Sequence, residues 1–235
     1  MTVLRSQRQE GVLTLDRLDR YDAFSAELVE DLLATVDEAE PGTADVLVVC
    51  GAGPGFGAGF DLGDADAAPD GEGELLRRFV RIEQSLRAVD HAPFVTLALA
   101  HGVAADLVCA CTHRVAAPGT RFRMPGLRFG VVLGTRRLAR RVGADAALAI
   151  HSGGRVLDAE EALRLGLLTA VVPQDGWDAT VARITAEVAG AERSRAQRST
   201  VAPSPRTTGT RTWPISCARR LRRASPPVSP PTARP

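Results

Sequence analysis

Two periodicities alternate along this chain. Short apolar runs at Val12–Leu15, Val46–Cys50, Phe94–Leu99 and Val171–Val172 carry branched aliphatic residues in unbroken or two-residue patterns, the mark of strands. Between them, apolar residues recur every three or four positions, the mark of helices with one buried face. After Ser25, a side chain suited to capping a helix start, Leu28, Leu32, Leu33 and Val36 form such a face, with Glu27 in the first turn. Leu75, Phe79, Ile82, Leu86 and Val89 repeat it over 74–89, and Pro93 closes that element before the next strand. Asp158 is placed to cap a helix running to Leu165, which Gly166 ends. Strands and helices in alternation predict an α/β fold with a parallel sheet.

The strand at Val46–Cys50 runs into a loop with glycine at 51, 53, 55, 57 and 59, where backbone can approach a ligand without Cβ interference. The loop closes on Phe60-Asp61-Leu62. Gly53 to Ala58 formally fits the dinucleotide fingerprint G-x-G-x-x-A, but that motif must open a helix. The acidic, glycine-rich residues 61–73 that follow argue against one.

This loop resembles the pattern G-x-G-x-x-F-x-A-G-x-D-L of the enoyl-CoA hydratase/isomerase (crotonase) superfamily. Residues 14–25 are similar to its L-N-R-P-x-x-x-N-A-L-S, and residues 153–173 follow its G-R-x-x-x-A-x-E-A-x-x-x-G-L-V-x-x-V-V-P. Residues 100–117 resemble N-G-x-x-x-G-G-G-x-E-L-x-x-x-C-D-x-R-I-A-A, anchored by Cys111 and by Arg114-Val-Ala-Ala117. The resemblance implies a spiral of repeated β-β-α units over residues 1–190 that binds acyl-CoA. It also implies a trimeric or hexameric homo-oligomer and no tightly bound cofactor, coenzyme A being part of the thioester substrate. By the same likeness the backbone N–H groups of Phe60 and Val103 are the two halves of an oxyanion hole for a thioester enolate. Asp106 then stands where many hydratases carry their first catalytic Glu, and Arg17, Arg20, Ala23, Ala58, Phe60 and Leu62 line the coenzyme A site. Arg17 and Arg20 suit phosphate contacts; as isolated residues they read equally as solvated surface arginines.

Departures from the pattern narrow the chemistry. The segment between His101-Gly102 and Asp106 is about four residues shorter, and Val-Ala-Ala replaces its glycines. In Arg121-Phe-Arg-Met-Pro-Gly126 a glycine stands at the second acid's position. One carboxylate supports enolate stabilisation with a single acid/base, as in double-bond isomerisation, rather than two-carboxylate hydration. Asp106 itself has two readings: a partly buried general acid/base with a raised pKa, or an ion pair with an arginine such as Arg114. His101 and His113 read as packed or capping residues, His101 also as a possible ligand contact. The alternatives to an enzyme are an inactive acyl-CoA binder and an RNA-binding relative.

Composition adds one asymmetry. The 235-residue chain has net charge +1 and no Lys, yet residues 191–235 hold ten Arg against the single acid Glu192. This Arg/Pro/Ser/Thr-rich tail lacks apolar periodicity and reads as disordered, either an out-of-frame extension or a basic arm. Trp213 alone gives little support to base stacking, so nucleic acid is not an expected partner. The scattered cysteines 50, 109, 111 and 217 suit a reducing compartment, and Cys109-Ala-Cys111 reads as helix packing rather than a metal site. With no membrane-length apolar run and no signal-peptide core, the cytoplasm is the expected location.

Overall fold

The first three apolar runs form neighbouring parallel strands. The computed structural model describes residues 11–17, 20–37, 46–61, 71–104, 106–124 and 133–198. β1 (Val12–Leu15), β2 (Val46–Gly51), β3 (Val95–Ala100), β5 (His113–Ala116) and β8 (Ala170–Val171) make an all-parallel sheet in the order β1-β2-β3-β5-β8. Val46 pairs with Val95 and Leu97 with His113, fixing the register across its centre. β4 (Val103–Ala104), β6 (Arg121–Arg123) and β7 (Val156–Asp158) make a smaller sheet in the order β4-β6-β7. The units β3-β4-α3 and β5-β6-α4 thus repeat, α3 being Asp106–Ala110 and α4 Thr135–Val142. Among the described residues, the first turns of the spiral add isolated parallel bridges, Phe24 to Phe60 and Phe56 to Ala104. This is the expected α/β spiral of β-β-α units.

β2 is apolar on both faces because both are covered. Leu47 and Val49 face a core built with α1 (Ala26–Asp37), α2 (Gly71–Asp90) and α3; Val46 and Val48 pack with Ile184 of α7 (Trp177–Arg198). Ser25 Oγ accepts the Leu28 N–H at 3.1 Å, and Asp158 Oδ1 accepts the Glu161 N–H at 2.7 Å. Each such cap stabilises its helix by about 1 kcal/mol. Asp158 starts α6 (Ala159–Arg164), after which Gly166 turns at φ 82°. α5 (Ala144–Gly153) completes the set.

α7 runs on to Arg198, since Ala189 to Arg198 is rich in the strong helix formers Ala, Glu, Gln and Arg. The compact unit ends at Arg195, and the rest of the tail, 199–235, lies outside the described residues. Among those described, no helix is long and apolar enough to cross a membrane.

Candidate active site

Phe60 is aimed by one backbone bridge. The Phe24 N–H donates to the Gly59 carbonyl at 2.7 Å, and the Asp61 N–H donates to the Phe24 carbonyl at 3.2 Å. In a parallel bridge those flanking groups face the partner, so the N–H of Phe60 itself points to the opposite side. Gly59 makes this possible at φ 97°, a conformation that L side chains rarely adopt. The Phe60 ring stacks on Phe79 at a centroid distance of 4.6 Å, and the Arg78 guanidinium lies over it at 4.5 Å.

Arg17, Arg20, Ala23, Ala58 and Phe60 lie where the β1 and β2 loops meet. Arg17 is turned inward: its Nη1 donates to the Ala23 carbonyl at 2.7 Å and pairs with Asp61 Oδ2 at 2.7 Å. The Arg17 and Asp61 side chains are only 14 and 6 % exposed. These contacts make Arg17 an internal strut, because a buried carboxylate needs its cation. Arg20 is exposed beside it, while Ala23 is buried and its carbonyl also accepts from Ser25 N–H. Ala58, half-buried, donates its N–H to the Tyr21 carbonyl at 3.1 Å. Leu62 lies outside the described residues.

Val103 sits in β4, where its carbonyl accepts the Phe56 N–H at 2.8 Å. Its own N–H shares that edge of the strand and faces the glycine loop. Gly102, at φ 62°, presses so close that an added Cβ would stand 1.8 Å from the Pro54 carbonyl oxygen. His101 holds the same loop from behind, with Nε2 2.5 Å from the Gly53 carbonyl oxygen. His113, in β5, is removed from this loop, and burial lowers its pKa.

Asp106 opens α3. The residue is partly exposed, yet its Oδ1 is shut off from solvent and meets no hydrogen-bond donor among the described residues. Loss of solvation pushes its pKa up from 3.8 to about 6; the Arg137 charge lowers it and the Glu83 charge raises it. The expected partner Arg114 is committed elsewhere, donating to the carbonyls of Leu167, Cys111 and Thr112. Arg137 in turn is held by Glu83 through two bonds of 2.8 and 2.6 Å. Gly134, φ 70°, packs against the carboxyl: a Cβ there would lie 2.5 Å from Oδ1. Leu107, next along α3, would lie 3.9 Å from a Cβ placed on Gly57, so α3 packs against the glycine loop.

Sequence reading missed Glu83, Gly134 and Arg78. Glu83, the partner of Arg137, is 54 positions away in sequence. Gly126 lies outside the described residues. Cys109 and Cys111 are buried, with burial raising both thiol pKa values, that of Cys111 to about 12.

Residues 7–204 match the family model described as Enoyl-CoA hydratase/isomerase. A Mycobacterium tuberculosis protein named "Probable enoyl-CoA hydratase echA6" is 33% identical over 190 residues, 74% of each chain. The Gallus gallus ethylmalonyl-CoA decarboxylase is 32% identical over 165 residues, 67% of this chain and 55% of that one. The crystal structure of a Bordetella parapertussis protein assigned as an enoyl-CoA hydratase/isomerase superposes with TM-score 0.73 at 42% identity, covering 82% of each chain.

Proposed function

This chain belongs to the enoyl-CoA hydratase/isomerase family, and from that premise we propose that it stabilises the enolate of an acyl-CoA thioester with one acid/base, Asp106. The observation that carries the reading is the Asp106 carboxyl: closed off at Oδ1, without a donor there among the described residues, and raised to a pKa of about 6. A carboxyl so poised exchanges a proton near neutral pH more readily than an ordinary aspartate. The Phe60 N–H, directed away from its bridge to Phe24, supports the role of oxyanion donor. The Val103 N–H is the proposed second donor. With glycine at 126, isomerase-type proton transfer fits better than hydration, which needs a second group to activate water.

Decarboxylation is a second reading, favoured by the ethylmalonyl-CoA decarboxylase relative. Loss of carbon dioxide would generate the enolate without a base, and protonated Asp106 would return a proton to carbon. Both readings share one test. The protein is incubated with butyryl-CoA in heavy water, and deuterium entering the carbon next to the thioester carbonyl is followed by mass spectrometry. Wash-in that disappears in Asp106→Asn supports the reading. Equal wash-in by the two proteins places the acid/base elsewhere, and none in either protein removes enolate chemistry on this thioester.

A further inference from the structure

We propose that Arg78 is a positioning residue that holds the Phe60 N–H on the thioester oxygen. The inference rests on reading Phe60 as an oxyanion donor. It starts from what holds that amide among the described residues. Phe60 follows Gly59, at φ 97°, and is tied to its neighbours by one isolated bridge rather than a ladder. The Phe60 N–H lies in the same peptide plane as the Gly59 carbonyl, so beside a permissive glycine its aim follows the 2.7 Å bond from the Phe24 N–H. Oxyanion donors must hold their aim before the charge arrives, because their advantage over water lies in needing no reorganisation.

Arg78 grips both halves of the bridge. Its Nη2 donates to the Phe24 carbonyl at 3.3 Å, the oxygen that also accepts the Asp61 N–H. Its guanidinium lies 4.5 Å over the Phe60 ring, which stacks on Phe79 at 28° between planes. Arg78 and Phe79 are adjacent on α2, a helix of 20 residues, so a rigid element carries both contacts. Arg78 is 4 % exposed, and a cation over an aromatic face gains strength away from water. Arginine suits the task better than lysine because one planar group both stacks and donates in a fixed direction. The Phe60 side chain is thus the handle by which the backbone amide is aimed.

The test reads the carbonyl directly. Butyryl-CoA labelled with carbon-13 at the thioester carbonyl is bound to the full chain, and its stretch is measured by difference infrared spectroscopy against free ligand. The wild-type protein should lower the frequency, and Arg78→Gln should abolish about half of that lowering or more, with affinity changed by no more than about threefold. Deuterium wash-in should fall by roughly ten- to a hundredfold, less than full loss of a donor. Arg78→Lys should fall between the two. Where Arg78→Gln does not fold, Phe60→Leu, which keeps the amide and removes the ring, should show the same loss of shift. An unchanged carbonyl shift in whichever of these variants folds overturns the proposal, whatever happens to melting temperature. A wild-type spectrum with no shift overturns the oxyanion reading of Phe60 first, and the role of Arg78 with it.

Discussion

Replacing Asp106 with asparagine should stabilise the protein at pH 8 while removing its proton chemistry. The side chain sits where ionisation is costly: its pKa rises from 3.8 to about 6, mainly through lost solvation, and its Oδ1 meets no donor among the described residues. A folded-state pKa above the unfolded value means that the folded protein holds the proton more tightly. The associated stability is complete below pH 3.8 and is lost as pH rises through about 6. At about 1.36 kcal/mol per pH unit the loss comes to about 3 kcal/mol. Partial exposure of the residue lets water screen some of this, leaving about 2 kcal/mol.

Asparagine is never charged, so its advantage over aspartate should be small at pH 4.5 and grow towards about 2 kcal/mol at pH 8, read from urea unfolding at each pH. The same variant should lose deuterium wash-in by about 100-fold or more, with butyryl-CoA still bound. The wild-type wash-in rate should rise through an apparent pKa near 6, since the ionised form abstracts the proton. An asparagine protein that is less stable than wild type at pH 8 would refute the reasoning. That result would mean that Arg137 holds the carboxylate as a net favourable ion pair, although the geometry gives both ends of its guanidinium to Glu83.

Gly134→Ala should destabilise by about 2 kcal/mol or more, from a left-handed φ of 70° and a Cβ only 2.5 Å from Asp106 Oδ1. In an Asp106→Ala background the clash is absent and only about 1 kcal/mol should remain, which a double-mutant cycle of urea midpoints checks. Arg17→Met should cost about 3 kcal/mol by removing the cation 2.7 Å from Asp61 Oδ2, with butyryl-CoA affinity nearly intact. An unchanged melt with binding about tenfold weaker would restore Arg17 as a phosphate contact. Crotonyl-CoA hydration should be negligible with Gly126 in the second acid's place; turnover of about 10 per second or more would show that another group activates water.

The large sheet was legible because its strands are buried on both faces, which writes them as unbroken apolar runs. β1 starts and ends as expected, β2 runs one residue longer and β3 is shifted by one residue, whereas β5, which opens on His113 and Arg114, was not read as a strand. Ser25 and Asp158 were legible as caps because a short oxygen-bearing side chain before an apolar face has few other uses. The small sheet was not. Val103–Ala104, Arg121–Arg123 and Val156–Asp158 are too short for any period to emerge, and in β6 only Phe122 turns inward between two exposed arginines. At the site, Asp106 was visible through its distance from Cys111, but its surroundings were not. Arg137 and Glu83 come from α4 and α2, and only the fold brings them near the acid. Arg114, nearest in sequence, is taken by carbonyls that α3 and the loop before β8 leave without helix partners.

The shortened segment before Asp106 links the fold to the chemistry. β4 ends at Ala104 and α3 begins at Asp106, so one residue spans the gap. No room is left for a separate glycine turn between strand and helix. Instead the backbone of β4 closes on the glycine loop, with the Phe56 N–H on the Val103 carbonyl and Gly102 against Pro54. That stitching rigidifies the loop upstream of Phe60, yet it also keeps Val103 close to its own partners. On the proposed reading, loss of aim at the Phe60 amide should then be felt in the polarisation of a bound thioester. Where a second donor works alongside, removing the first costs about 100- to 1000-fold in rate. Here the dependence on Phe60 should reach at least that, and its single bridge to Phe24 is the weakest structural link in the proposed mechanism.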